Sequence, residues 1–517
     1  MRLQTGLPVE QTLDALEQAL ERGRFALLCA APGAGKSTVV PPSLLDAPFL
    51  NGGKILMLEP RRIAARGAAK RIAYLLGETP GRRVGYRTRF ESVPGSRIEV
   101  ITEGILTRMI QNDPALEGIG LVIFDEFHER SIHADLGLAL TLDSCSALRE
   151  DLRVLVMSAT LDASRVSALM DNAPVITSEG RLFEIETIYR PMDSRDARLE
   201  KEMAHAVLFA LNQYPGDILA FLPGEYEIQA AKRELEAMFP NPEAQNLRIL
   251  PLYGNLPPEE QDRALEEAPP PFRKIILSTP VAETSITVNG VRIVIDSGRM
   301  RVPRFSPKTA MNKLETIPVS LASAEQRRGR AGRTAPGVCI RLWSPAEERA
   351  FSPFNSPEIL EADLAPLSLE LAKWGVSPDH ADLLKWVDPP PANKLSQAFT
   401  LLQELGAVEK QSARLTRHGE KMLECPLHPR LAHMVLRSRE QHLGALGAAV
   451  AAILSERDFL RDGTSDLRKR LSLLCREEHS PFRYDRTAFQ RVRSVFRQLS
   501  SSDFSSADQE QCGLLLA

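Results

Sequence analysis

Cysteine is sparse in this sequence and follows no regular spacing. Structural zinc sites and disulfide frameworks both need cysteines in recognisable patterns, such as CxxC pairs. Neither kind of site is expected, and the pattern favours a protein of the reducing cytoplasm. The six cysteines are Cys29, Cys145, Cys339, Cys425, Cys475 and Cys512.

Long apolar runs are missing as well. The longest stretch of small apolar residues, Leu443 to Leu454, is shorter than the ~18 residues that a membrane helix needs. The opening residues, MRLQTGLPVEQ, lack the apolar segment of a signal peptide. Neither membrane insertion nor secretion is expected.

The sequence has no excess of one charge. It contains 64 Lys and Arg against 67 Asp and Glu, so a nucleic-acid site would have to be a local basic track. Apolar residues make up 43% and charged residues 25%, which is typical of a globular protein and excludes a disordered or fibrous chain. At 517 residues the chain is longer than the roughly 250 to 300 that one core supports, so several domains are expected.

Short apolar runs alternate with amphipathic segments over most of the chain. Such runs predict buried parallel strands, and beyond about residue 350 helical patterns replace them. The predicted fold class is α/β, with two tandem domains and a mainly helical C-terminal region. The chain stops at QEQCGLLLA, an uncapped apolar pattern, so a truncated chain is expected. The first series is RFALLCA, KILMLEP, RIEVIT, LVIFDE and RVLVMSAT; the second is DILAFLPG, LRILPLYG, KIILSTP, VRIVIDSG and VCIRLW.

A glycine-rich segment joins the first predicted strand to a helix. In a P-loop, small residues let backbone N–H groups surround a phosphate, a lysine reaches the β and γ oxygens, and a hydroxyl faces Mg²⁺. Ala30 replaces the usual first glycine, and the alternative is a chance glycine turn before a helix. The predicted nucleotide-binding residues are Pro32, Gly33, Ala34, Gly35, Lys36, Ser37 and Thr38.

Two adjacent carboxylates, Asp125 and Glu126, follow the apolar strand LVIF. Ligand-binding side chains commonly sit at this end of a strand in α/β sheets. We assign Asp125 to a metal ion and Glu126 to the metal and the attacking water. A helix cap is the alternative for an acidic strand end, and the preceding P-loop argues against it.

Gln326, Arg330 and Arg333 are spaced i, i+4 and i+7 in EQRRGRAGR, so on a helix they would share one face. The two arginines could then act as fingers on a γ-phosphate. The alternative is a solvated basic helix with Ser323 and Gln326 as a capping box. Gly329 and Gly332 favour a closely docked face over that alternative.

Together these motifs resemble superfamily 2 helicases of the DEAH/RHA group, and within it the bacterial HrpB-like branch. The resemblance implies an ATP-dependent RNA helicase that uses ATP or another NTP with Mg²⁺ and moves 3′ to 5′ on single-stranded RNA. DNA or ribonucleoprotein is the alternative substrate, and a monomer is expected. The supporting segments, in chain order, are residues 30–38, EPRR at 59–62, TEG at 102–104, DEFH at 125–128, SAT at 158–160, FLPG at 221–224, AETS at 282–285 and QRRGRAGR at 326–333.

The resemblance extends to individual positions. Lys36, Glu126, Gln326, Arg330 and Arg333 would be catalytic, with Ser37, Asp125 and Glu126 around the metal. His128, Ser158 and Thr160 would couple nucleotide state to domain closure, although Thr160 or Asp162 could simply cap a helix. Arg61, Arg62, Thr102 and Thr284 would contact a nucleic-acid backbone; a solvated helix N-terminus is the alternative for the arginines.

The hairpin GRMRVPRFSPKTAMNKLETIPVS resembles the strand-separating element of this group, and a charged surface hairpin is its bland alternative. Its basic residues are Arg299, Arg301, Arg304, Lys308 and Lys313. Three departures are notable: Phe127 replaces alanine, Pro280 and Val281 replace Asn-Ile, and Arg299 replaces an aromatic opposite Arg71, so a weak preference for adenine is expected.

The resemblance also divides the chain. Residues 1–175 and 176–347 would be two RecA-like domains, 348–412 a winged helix and 413–517 a helical bundle that ends before an OB-fold. A P-loop kinase or small ATPase is the main rival, but it would not need Arg330 and Arg333 on a second domain. A nucleic-acid-binding scaffold with a decayed site is the other rival, and the complete set of site residues argues against it.

Overall fold

The computed structural model describes two compact units. The first comprises Met1–Ala362 with Leu384–Asp388, and the second comprises Asp363–Leu383 with Pro389–Ala517. The described residues are all except 1–3, 32, 90, 160–162, 181–182, 193–197, 255, 284–287, 307–310, 334, 411, 461–462, 476–483, 505–510 and 517.

The first unit opens with an eight-stranded sheet in the order β4-β3-β5-β2-β6-β7-β1-β8. All its pairs are parallel except β3 with β4. Central strands such as β6 are buried along their whole length, which explains their continuous apolar runs. The strands are β1 Phe25–Ala30, β2 Lys54–Glu59, β3 Val84–Arg87, β4 Ser92–Val93, β5 Ile98–Thr102, β6 Ile119–Phe124, β7 Arg153–Ser158 and β8 Val175–Ser178. The helices are α1 Leu13–Arg22, α2 Lys36–Ser43, α3 Arg62–Leu75, α4 Glu103–Asn112, α5 Ile132–Ala147 and α6 Ala163–Leu169.

A second parallel sheet follows in the order β11-β12-β10-β13-β16-β9, together with a separate antiparallel hairpin, β14-β15. Arg299 lies opposite Pro318 at the base of the hairpin. The strands are β9 Ile185–Tyr189, β10 Asp217–Phe221, β11 Leu247–Leu252, β12 Arg273–Ser278, β13 Val291–Asp296, β14 Arg299–Ser306, β15 Met311–Pro318 and β16 Gly337–Arg341. The helices are α7 Leu199–Gln213, α8 Glu225–Met238, α9 Pro258–Leu265, α10 Leu321–Arg328, α11 Pro345–Glu348 and α12 Glu358–Glu361.

The second unit is mainly helical. Its core forms where α17, apolar on all sides, packs against α16 and the amphipathic α19, which contributes Phe489, Val492, Phe496 and Leu499. In the described part of the chain, no helix is both long and apolar enough to cross a membrane. The helices are α13 Ala365–Trp374, α14 Ala392–Glu404, α15 Arg417–Glu424, α16 Pro429–Glu440, α17 Gly444–Ser455, α18 Leu467–Cys475, α19 Arg486–Leu499 and α20 Cys512–Leu516.

The predicted fold class is confirmed: two tandem parallel α/β domains precede a helical region. The predicted domain boundaries stay predictions, and two structural facts bear on them. A boundary after residue 175 would cut β8, which pairs with β1 of the first sheet, Val175 opposite Leu27. Residues 348–362 pack with the first unit, and the second unit begins at Asp363. The short and half-exposed β8 has no apolar run to mark it. The division of the C-terminal region into winged helix and bundle stays a prediction.

The close approach of α16 and α17 depends on Gly447. A Cβ atom there would lie 2.0 Å from Ser438 Oγ, so Gly447→Ala must push the two helices apart. We expect a loss of about 1–3 kcal/mol in the free energy of unfolding, measured by chemical or thermal denaturation. Gly67→Ala in α3 is the matched control, since a Cβ there meets nothing within 4 Å. The control should be neutral or stabilising, and equal losses in both variants would contradict the packing argument.

Candidate nucleotide and nucleic-acid site

The predicted site residues of the first domain line one edge of its sheet. Parallel strands end at the same edge, so the segments that follow them meet there. In the strand order β5-β2-β6-β7-β1, these ends carry in turn Thr102, Arg61, Asp125, Ser158 and the P-loop. The fold thus brings together positions up to about 120 residues apart in sequence.

The P-loop runs from Ala30, where β1 ends, to Lys36, where α2 begins. Gly33 and Gly35 have φ values of +86° and +96°, which side-chain-bearing residues rarely adopt. A Cβ at Gly35 would also lie 2.8 Å from the Leu7 side chain. The loop leads into the N-terminus of α2, where backbone N–H groups favour an anion. Ala34, Ser37 and Thr38 lie in this loop and the first turn of α2, while Pro32 lies outside the described residues.

A buried ion pair joins the P-loop to the end of β6. Lys36 Nζ lies 3.0 Å from Glu126 Oε1, and each side chain is only 5% exposed. Glu126 has a left-handed backbone, φ +50°, and its N–H donates to Asp125 Oδ1 at 2.8 Å. The Ser37 hydroxyl lies near the Asp125 carboxylate and lowers its pKa, against the larger effect of burial. The sequence interpretation of these four residues as one cluster agrees with this geometry.

The charges in this cluster influence one another. Burial and the neighbouring Glu126 raise the pKa of Asp125. Burial would also raise the pKa of Glu126, but the Lys36 ammonium and His128 outweigh it and lower that pKa. Glu59, which the sequence analysis did not single out, is a third buried carboxyl group at the end of β2, and burial together with Asp125 raises its pKa. The position of Glu59 at the end of an apolar strand was the sequence signal that could have identified it as a site residue.

The cluster suits a divalent cation bound with phosphates. Asp125 Oδ2 and Glu126 Oε2 are buried without a hydrogen-bond partner among the described residues. Oxygen ligands of this kind fit Mg²⁺, which usually takes one or two carboxylates and completes its shell with water and substrate phosphates. In the described part of the chain, no three His, Cys, Asp or Glu side chains converge to hold a metal by themselves.

Arg330 and Arg333 of the second domain follow α10 and are not part of it. The helix ends at Arg328 and Gly329 caps it, so Arg330 and Arg333 lie on the following turn, and the predicted single helical face is wrong. The N-cap is Ser320, whose hydroxyl accepts from Ser323 N–H at 3.1 Å, so the predicted capping box is wrong too. Gly329, a poor helix former, ends the regular turns before Arg330.

These side chains are not solvated. Gln326 and Arg330 are 5% and 3% exposed, which rules out the solvated basic helix. Arg333 Nε lies 3.6 Å from where a Cβ of Gly33 would be, so Arg333 packs on the P-loop. Gly332 is closely docked, because a Cβ there would lie 2.7 Å from the carbonyl oxygen of Phe183.

Two buried arginines lie close to each other where the two domains meet. Burial lowers the pKa of Arg330, and the charge of Arg333 lowers it further; burial lowers the pKa of Arg333 to about 10. Both guanidiniums are attracted to Glu126, which Lys36 already neutralises. Mutually repelling buried cations of this kind are well suited to a polyanion such as a triphosphate.

A fully buried arginine, Arg327, organises the second domain's contribution. Its Nε lies 2.8 Å from Glu283 Oε2 and its Nη1 2.8 Å from Asp296 Oδ1, and its guanidinium lies over the Phe221 ring at 5.0 Å. Glu283 also accepts from Ser323, and its backbone carbonyl accepts from Arg330 Nε at 2.8 Å. Arg327 therefore fixes the residue that orients Arg330. No motif spacing singles out Arg327, although Glu283 and Asp296, two carboxylates on buried segments, were a signal that a cation lies nearby.

The predicted coupling residues lie beside the carboxylates. His128 Nδ1 is 3.4 Å from Glu126 Oε2 and 3.4 Å from the backbone N–H of Ala159. Ser158 is 1% exposed at the end of β7, and Thr160 lies outside the described residues. Phe127 is 1% exposed and packs edge-on against Phe124, which accounts for a large side chain at this position.

The predicted nucleic-acid contacts are only partly assembled. Arg61 donates to the Pro280 carbonyl at 2.6 Å and to Glu129 at 3.2 Å, so it bridges the two domains. Arg62 is exposed at the start of α3, Thr102 is half-buried beside Glu59, and Thr284 lies outside the described residues.

The hairpin forms as expected, but its arginines have protein partners. Arg301 pairs with Glu227 at 2.7 Å and Arg304 with Glu315 at 3.2 Å, while Lys308 lies outside the described residues. Arg71, expected near the base, lies over the Tyr74 ring at 5.2 Å.

A P-loop, a buried acidic pair and two arginines supplied by a second parallel domain define the class of two-domain P-loop NTPases. Family comparisons agree. The DEAD/DEAH box helicase family matches residues 10–169, and the helicase conserved C-terminal domain matches residues 200–335.

Similar proteins and a similar solved structure indicate a narrower family within this class. The ATP-dependent RNA helicase HrpB of Escherichia coli is 46% identical over 90% of this chain and 56% of its own length. The probable ATP-dependent RNA helicase DHX34 of Homo sapiens is 35% identical over 88% of this chain and 40% of its own length. A crystal structure of the E. coli DEAH/RHA helicase HrpB superposes with a TM-score of 0.85 at 43% identity, covering 97% of this chain and 62% of that one. The chain belongs to the DEAH/RHA helicase family, and it spans about half the length of the curated relatives it matches.

The Arg327 cluster predicts a large stability effect. Arg327→Gln would leave Glu283 and Asp296 buried with their charges uncompensated, so we expect the free energy of unfolding to fall by about 3–5 kcal/mol. Denaturant unfolding checks this. The control is the adjacent Arg328→Gln, which removes a partly exposed pair with Glu325 and should cost at most about 1 kcal/mol. A similar loss in both would contradict the assignment.

Proposed function

We propose that this chain is an ATP-dependent RNA helicase or translocase of DEAH type that hydrolyses ATP, or another NTP, between its two α/β domains. One observation carries the proposal: Lys36 and Glu126 of the first domain and Arg330 and Arg333 of the second converge on the P-loop. A kinase or small-molecule ATPase does not need the second pair. A decayed site would not keep buried charges that compensate one another only in part.

Each site residue would have a separate role in ATP hydrolysis. Lys36 would exchange Glu126 for the β and γ oxygens of the nucleotide, which frees the Glu126 carboxylate to orient and deprotonate the attacking water. Ser37 and Asp125 would hold Mg²⁺, which neutralises phosphate charge when bound. Arg330, held by the Glu283 carbonyl, and Arg333, packed on Gly33, would stabilise charge that develops on the γ-phosphate. Gln326 would complete the site from α10.

Movement on nucleic acid would follow from domain opening and closing. Arg61 joins both domains through Pro280 and Glu129, at the edge where Arg62 and Thr102 also lie. Contacts from Arg61, Arg62, Thr102 and Thr284 to a sugar-phosphate backbone would give binding without sequence choice. Relatives named RNA helicases support RNA as the substrate. Movement from 3′ to 5′ is part of the proposal through the family resemblance alone.

The wider proposal includes the predicted organisation and setting. The chain would comprise two RecA-like domains, a winged helix and a helical bundle, and act as a monomer. All six cysteines are free thiols, which supports a cytoplasmic location.

RNA should stimulate the ATPase. We expect the turnover number to rise on titration with single-stranded RNA and the stimulation to weaken with added salt, since phosphate contacts release counterions. A coupled phosphate-release assay with matched RNA and DNA oligomers measures this. Equal stimulation by DNA would favour the alternative of a general nucleic-acid-dependent ATPase, and a rate indifferent to both would refute the motor.

Two site variants should separate binding from turnover. Glu126→Gln should lower turnover by about 10²–10⁴ and Arg330→Ala by about 10³–10⁵, while both still bind a fluorescent nucleotide analogue. The control is Arg328→Gln, whose partly exposed side chain pairs with Glu325. Wild-type turnover in either site variant would reject the role of that residue.

A further inference from the structure

A five-residue strap, Leu384–Asp388, lies after both helicase domains in the chain yet packs with the first unit. The chain on either side of it, Asp363–Leu383 and Pro389–Ala517, belongs to the second unit. In sequence the strap therefore lies within the C-terminal region, but it packs with the first unit. Two of its side chains, Lys385 and Asp388, form ion pairs.

Asp388 binds two arginines of the first domain. Its Oδ2 lies 2.8 Å from Arg130 Nη2, and its Oδ1 accepts from Arg165 Nη2 at 2.8 Å. The same Arg165 nitrogen donates to the Val387 carbonyl at 2.8 Å. Asp388 and Arg130 are only 18% and 12% exposed, so this pair is poorly screened by water.

Arg130 belongs to the loop that begins with the catalytic carboxylate. Glu126 and Arg130 both have φ of +50°, a left-handed conformation that ordinary side chains rarely adopt without support. The Arg130 guanidinium donates two hydrogen bonds, of 2.9 and 3.1 Å, to the carboxylate of Asp135 in the first turn of α5. Its carbonyl accepts from the N–H of Glu358 at 3.1 Å, so residues beyond the second domain hold this loop from two sides.

Arg165 extends the same connection to the neighbouring strand. It lies in α6, which follows the end of β7, where Ser158 is placed. Strands β6 and β7 are adjacent, and their ends carry Glu126, His128 and Ser158. Asp388 thus ties together the segments that follow both strands.

A simple stabilising contact is the alternative, and the strap contains an example of one. Lys385 pairs with Asp171 at 2.6 Å, but these side chains are 44% and 52% exposed. Exposed pairs of this kind contribute about 0–1 kcal/mol and transmit little. The Asp388 pair differs because it is largely buried and reaches a strained loop four residues from Glu126.

We propose that Asp388 is a positioning residue for hydrolysis: by holding Arg130 it fixes the left-handed turn that aims Glu126 and His128. The C-terminal region thereby sets the turnover of a site to which it contributes no catalytic group. The proposal rests on the ATPase activity proposed above.

The test compares Asp388→Asn with Lys385→Gln in the full chain. Both remove one charge from the strap, but only the first faces Arg130 and Arg165. We expect Asp388→Asn to lower kcat about tenfold with saturating RNA, because small misplacement of a catalytic group is costly. KM and the Kd of a fluorescent ATP analogue should change less than about twofold, since neither strap variant touches the P-loop. Lys385→Gln should behave as wild type.

Hydrogen exchange gives a readout independent of turnover. Backbone amides of residues 126–131 should exchange faster in Asp388→Asn than in wild type and in Lys385→Gln. Asp388→Glu, which keeps the charge, should restore part of the rate and of the protection. If wild-type protein lacks ATPase activity, the proposed function fails, and exchange still decides whether Asp388 holds the loop.

Three results would overturn the inference: unchanged kcat in Asp388→Asn, unchanged exchange at residues 126–131, or equal effects of the two strap variants. If Asp388→Asn does not fold, Arg130→Lys replaces it, since that change keeps the charge but removes the forked guanidinium that contacts both Asp135 and Asp388. Wild-type kcat and wild-type exchange in Arg130→Lys would then overturn the proposal.

Discussion

The buried ion pair between Lys36 and Glu126 is the constraint on which the site depends. Two charges that are only 5% exposed are costly to remove from water, and their attraction offsets that cost only in good geometry. The 3.0 Å contact therefore requires the P-loop and the end of β6 to be held rigidly, which a buried parallel sheet provides. In the proposed reaction, a phosphate that binds Lys36 would leave Glu126 with uncompensated negative charge. Arg330 and Arg333, which are both attracted to Glu126, would then compensate that charge.

In the second domain, the buried ion pairs of Arg327 have the corresponding structural role. One buried guanidinium pairs with both Glu283 and Asp296 and so connects the segment after β12, the end of β13 and α10. Arg330 is held in place by a hydrogen bond from its Nε to the Glu283 backbone carbonyl. Each domain thus positions its candidate site residues through a buried charge cluster.

Sequence reasoning was accurate where local pattern decides structure. Continuous apolar runs predicted the strands, and the loop from Ala30 to Lys36 and the acidic pair at 125–126 stand where parallel strands end. It failed where distant contacts decide. Nothing local marks the end of α10 at Arg328 beyond its glycines, and β8 is defined by pairing with β1 rather than by composition. The functions of Arg327 and Asp388 depend on partners 31 to 258 residues away, which no spacing rule reveals.

Those distant partners also bear on which parts of the chain support the candidate site. The family matches cover residues 10–169 and 200–335 and end before Glu358 and Asp388. Yet the N–H of Glu358 and the carboxylate of Asp388 both hold Arg130, and the Glu358 carboxylate accepts from the N–H of Ile132 at 2.9 Å. A left-handed turn at a non-glycine residue persists only where its surroundings over-determine it. The loop that follows Glu126 therefore takes part of its support from beyond both helicase domains, and a fragment ending at residue 335 would carry every predicted catalytic group without that support.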